Sequence, residues 1–105
     1  MASVALPWLG GMEQLLHRAQ VRVHRDPRAV ISELRQVRAN VWHEPAEDEL
    51  WPKIDTALRI DDYRALYTAL DLLAAVLARH HREAADLAIE ARNAVEYILK
   101  RAARS

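Results

Sequence analysis

The sequence predicts an all-α fold: a four- to five-helix bundle, or a short stack of two helix–turn–helix units closed by a C-terminal capping helix. Three observations carry this. Both glycines of the 105-residue chain, Gly10 and Gly11, stand near its start, and after them only Pro27, Pro45 and Pro52 can interrupt a helix. Nineteen alanines, with many leucines, arginines and glutamates, are strong helix formers. Alternating β-branched and aromatic runs are absent, whereas apolar residues recur at three- and four-residue intervals.

Residues 1–11 read as an irregular apolar arm and residues 12–105 as one helical domain. The arm, with Leu6, Trp8 and Leu9 punctuated by Pro7 and Gly10-Gly11, has no basic leader and is too short to cross a bilayer. The expectation is a cytoplasmic chain with no membrane partner. Met12, Leu15, Leu16, Ala19 and Val23 fall within roughly 100° of arc and predict a helix from Met12 to about His24. Asp26 before Pro27 is an N-cap followed by a first-turn proline. It opens a helix with the stripe Val30, Leu34, Val37 and Val41, flanked by Ile31 and Trp42, that should stop near Glu44. The next helix covers Ala46 to Arg59 with Leu50, Trp51, Ile54 and Leu58 inward, with a later start at Trp51, set by Pro52, as the alternative.

Asp61 and Asp62 should cap a helix carrying Tyr63, Leu66, Leu70, Leu73 and Leu77. Its apolar phase persists through His80, Ala84, Leu87, Ala91, Ala94 and Ile98 with no helix breaker. A single helix from Asp62 to Ala103 would be about 63 Å long, too long for a globule of this size. The polar cluster Arg79-His80-His81-Arg82 is therefore the expected bend. The alternative is an unbroken helix that would seat Leu70, Leu73, Leu77, Ala84, Leu87, Ala91 and Ile98 against a second copy.

The chain also matches itself. The stretch from Asp26 to Val41 aligns with Asp62 to Leu77 at an offset of 36 residues, and Leu15, Leu16, Ala19 and Val23 fall on Leu50, Trp51, Ile54 and Leu58 at 35. Two amphipathic helices in register would produce a similar match.

Composition narrows the chemistry. Without cysteine there is no disulfide, thiolate nucleophile or cysteine zinc site. His17 and His24 stand two helical turns apart, about 10.5 Å, too far to share an ion alone. His80 and His81 diverge by about 100° on a helix. No Glu-x-x-His pair, nucleophile elbow or phosphate loop occurs, so neither a metal nor a cofactor is expected. Fifteen basic residues balance fifteen acidic ones, which argues against a general nucleic-acid binder. The distribution is nevertheless uneven. Met1 to His43 carries net +3, Glu44 to Asp62 net −5, and Tyr63 to Ser105 net +2. Such an acidic connector could meet an arginine-rich partner or the basic part of a second copy, while Arg18, Arg22 and Arg25 on one side of the first helix, with Arg28, Arg35 and Arg38 spread over the second, could touch phosphates.

Arg38 and His43, with four residues between them, resemble the catalytic pair of the helical HEPN ribonucleases, and the resemblance implies RNA cleavage without a metal. Arg18 and His24 form a second pair of related spacing. The preferred expectation is a non-enzymatic helical module that binds a protein, including a second copy of itself, with a DNA-binding regulator and a HEPN-like ribonuclease as alternatives. Its expected partner surface is Trp42, His43, Glu44, Glu47, Asp48 and Trp51, where two tryptophans flank the acidic connector.

Overall fold

The computed structural model describes residues 24–104, which form four helices and no strand. They are α1 (Pro27–Arg38), α2 (Pro45–Arg59), α3 (Tyr63–Leu77) and α4 (Arg82–Arg104). The all-α bundle is as the sequence predicts. The arm at residues 1–11 and the helix expected from Met12 lie outside the described residues, except for His24 at that helix's end.

Asp26 caps α1 as expected, its Oδ1 accepting from the Arg28 N–H at 3.1 Å. The helix stops at Arg38, six residues short of Glu44. Ala39 turns extended and Asn40 takes φ 62°, a left-handed conformation that asparagine tolerates better than most residues. The apolar phase that suggests a longer helix is carried by Val41 and Trp42, and both are exposed.

α2 starts at Pro45, so Pro52 does not delay it. Proline at the first helical position needs no N–H partner, and Glu47 and Asp48 in the first turn favour the positive end of the helix dipole. Pro52 removes one bond from the ladder but sits on the exposed side of the helix. The helix closes with a left-handed Asp61 (φ 55°), whose N–H donates to the Leu58 carbonyl while that of Asp62 donates to Ala57 at 2.9 Å. This 6→1 and 5→2 pairing usually uses glycine at the left-handed position. Here Arg28 grips both the Leu58 carbonyl and the Asp61 carboxylate, at 2.7 and 2.5 Å. The two aspartates thus divide their work: Asp61 closes α2, and only Asp62 caps α3, accepting from the Ala65 N–H at 3.1 Å.

The bend falls where the polar cluster puts it. α3 ends at Leu77, and His81 opens α4 by accepting the Ala84 N–H on Nδ1 at 3.1 Å. α4 packs on α1 and α3, and α3 packs on α2 as well. The inner face of α4 is built from Ala84, Ala88, Ala91 and Val95, all fully buried. Small side chains let two helices approach it at once, while α1 contributes Val30, Ile31 and Leu34 and α3 contributes Leu66, Leu70, Leu73 and Leu77.

This packing accounts for the residues considered for self-association. Leu70, Leu73, Leu77, Ala84 and Ala91 are fully buried within one chain, Leu87 packs against the same core, and Ile98 is half-buried. The unbroken helix that would offer them to a second copy does not form. No helix among the described residues is long and apolar enough to cross a membrane.

Because Ala88 is enclosed, Ala88→Leu should overpack the α1–α4–α3 contact and cost about 1–3 kcal/mol. Urea unfolding followed by circular dichroism measures this, and an unchanged midpoint would mean that the alanine face is looser than described.

Candidate functional site

Most of the residues expected to bind a partner gather at the α1–α2 junction, around one buried ion pair. Arg38, in the last turn of α1, reaches across to Glu47 in the first turn of α2. Its Nε donates to Glu47 Oε1 and its Nη2 to Oε2, both at 2.8 Å. The two side chains are 3% and 0% exposed. A two-pronged bond of this kind is the arrangement in which arginine holds a carboxylate best. Burial alone would raise the Glu47 pKa, but the Arg38 bonds, the nearby His43 and a long bond from Trp51 Nε1 at 3.5 Å outweigh it and hold the carboxylate below its ordinary range.

The connecting turn wraps around this pair. Arg38 Nη2 also donates to the Trp42 carbonyl at 2.9 Å. His43 Nε2 lies 2.7 Å from the Arg38 carbonyl and Nδ1 lies 3.0 Å from Asp48 Oδ1. A carbonyl and a carboxylate only accept, so satisfying both requires a proton on each ring nitrogen. The bond to the Arg38 carbonyl, opposed by burial and aided by Asp48 and Glu47, accordingly pushes the His43 pKa upward. The imidazolium also sits at the C-terminal end of α1, where the helix dipole favours a cation.

The six expected partner residues therefore separate. Glu47 is fully buried and Trp51 lies in the core, with the Arg35 guanidinium 4.6 Å above its ring. His43 and Glu44 are half-buried. Asp48 is exposed but tied to His43. Trp42 alone stands clear, 70% exposed beside Val41 at 44%, with the edge of its ring toward His80 at 6.1 Å. Glu44 Oε1 lies 4.0 Å from His80 Nδ1. Arg35, Arg38, Ala39, His43, Asp48 and Trp51 line a shallow hollow of about 290 Å³ beside the pair.

The uneven charge is largely resolved within the chain. Arg28, Arg35 and Arg38 run along one edge of α1 rather than spreading over it, and they meet Asp61, Asp55 and Glu47. Arg25 holds Glu33 and Glu90. Arg35 and Val41 belong to this region too, although the sequence pattern places the first with phosphate contacts and the second on the core stripe. The signal for the first is the spacing itself, since arginines at i, i+7 and i+10 fall within about 80° of helical arc.

Chemically the cluster is closed. Arg38 has no exposed donor edge to offer a phosphate, and both nitrogens of His43 are engaged. No group of histidine and carboxylate side chains among the described residues could hold a metal ion. Compared with protein-family models, with curated proteins and with solved structures, the chain finds no match.

Two outcomes follow. Arg38→Ala should strand the Glu47 carboxylate and cost about 3–5 kcal/mol, whereas the paired change Arg38→Met with Glu47→Leu should recover most of it; denaturant midpoints of the three proteins decide this. For His43, a raised pKa in the fold means that its contribution is fully present below the unfolded value of about 6.5 and is lost as pH rises through the folded value. The stability advantage of the wild type over His43→Gln should shrink with rising pH. A gap that stays constant from acid to alkaline pH would contradict the doubly bonded imidazolium.

Proposed function

We propose that this chain is a non-enzymatic helical interaction module, with Trp42 and Val41 as the apolar anchor by which it holds a protein partner or a second copy of itself. One observation carries the reading. At the α1–α2 junction Arg38, His43, Glu47 and Asp48 are bonded to one another, while the Trp42 ring is held outward on a turn that Arg38 and His43 keep in shape. An exposed tryptophan on a preorganised turn loses little entropy on binding and offers a large contact area, which is why tryptophans are frequent interface anchors. A cytoplasmic place goes with this proposal.

The alternatives have less to stand on. Arg28, Arg35 and Arg38 face carboxylates of α2 and the turn after it, so duplex DNA would have to displace those bonds before it gained its own. A ribonuclease would need Arg38 out of the interior.

The test compares wild type with Trp42→Ala by light scattering and by retention of partners from native extract. Trp42→Ala should keep its helicity and melting temperature yet lose at least about tenfold in affinity for whatever the wild type holds, second copy included. Equal association by both proteins would remove Trp42 as the anchor.

A further inference from the structure

The outer faces of α2 and α3 leave a groove of about 540 Å³ that the Trp42 reading does not use. Leu50 and Ala69 form its floor, and Pro52, Thr56, Ala65 and Leu72 rise at its sides. The groove exists because α3 presents small side chains there, while its larger leucines turn into the core. Leu72 is the exception, 51% exposed at one end. From Ala65 to Leu72 is about two helical turns, or 10.5 Å, which matches the span from i to i+7 of a docked helix.

Its rim carries charge that no described residue answers. Lys53 lines the groove, Arg59 follows Pro52 and Thr56 on the same stripe of α2, and Arg64 stands beside Ala65. All three are exposed, and no ion pair joins them to a described residue. The arginines along α1, by contrast, all find carboxylates. Of the acids near the groove, Asp71 on α3 is held by Arg92 and Asp62 caps α3 through the Ala65 N–H, while Glu49 stands exposed toward the other end of α2.

We propose that this groove docks an amphipathic helix of a partner protein, whose apolar stripe covers Leu50, Ala69 and Leu72 and whose acidic flank faces Lys53, Arg59 and Arg64. Charge complementarity selects the occupant. The amphipathic stretch 12–23 of this same chain has Arg18 and Arg22 against one acid, Glu13, and would bring like charge to the rim. The site is separate from the Trp42 anchor, so either can fail alone.

The test uses the full chain, isotope-labelled for amide NMR, and two synthetic peptides of about 14 residues with leucines at i, i+3 and i+7. One peptide carries glutamates beside the stripe and the other lysines. The acidic peptide should shift amides of residues 50–56 and 65–72 and bind at least about tenfold more tightly than the basic one. Leu72→Glu, a surface change, should abolish that binding, the pair Lys53→Glu with Arg64→Glu should reverse the charge preference, and Trp42→Ala should leave the titration unchanged. Equal binding of both peptides, shifts centred on Trp42, tighter binding of a peptide of residues 12–23, or filling of the groove by a second copy without peptide would each overturn the proposal.

Discussion

The bond between Arg38 and Glu47 is the constraint on which the first half of the molecule depends. α1 packs closely on α4 and shares one hydrophobic core with α2. Its outer seam with α2 is polar, and within it the pair at Arg38 is buried while those at Arg28 and Arg35 are exposed. An exposed pair contributes about 0–1 kcal/mol, so those two align the helices more than they hold them. A buried pair contributes little net stability against an apolar replacement, yet removing one partner is severe. What such a pair supplies is position: Glu47 has to stand in the first turn of α2, and Arg38 in the last turn of α1.

From that position the turn follows. Arg38 offers its third bond to the Trp42 carbonyl, and its own carbonyl receives the His43 ring. A helix running on to Glu44 would place Trp42 and His43 on different faces and lose both bonds. Asn40 accepts a left-handed backbone so that the chain can double back, and the side chain put outside by this arrangement is Trp42. Trp51, which looks like its twin in the sequence, lies one turn past Glu47 on the same face of α2 and is carried inward.

The charge pattern has a related explanation. Segments of net +3 and −5 suggest two surfaces seeking partners, and they find each other within one chain because Asp26-Pro27 and Glu44-Pro45 start neighbouring helices. Among the described residues, what faces outward includes features different in kind: an apolar turn at Val41 and Trp42, and a groove edged by cations that the α1 seam does not use. The proposed binding role rests on that division, since catalysis needs polar groups that are positioned yet open.

The sequence by itself determined the helices and most of their ends. A cap at Asp26, another at Asp62 and a polar break after Leu77 are local effects, settled by bonds within a few residues. It also determined the core stripes of α1 and α3, because helical periodicity alone puts Leu34 and Leu70 on a buried face. Only the tertiary structure decided where α1 stops, which tryptophan is buried, and what the arginines hold. Those outcomes turn on a partner nine residues away for Arg38 and thirty-three away for Arg28, and bonds across such distances form only once the packing of separate helices has brought their ends together.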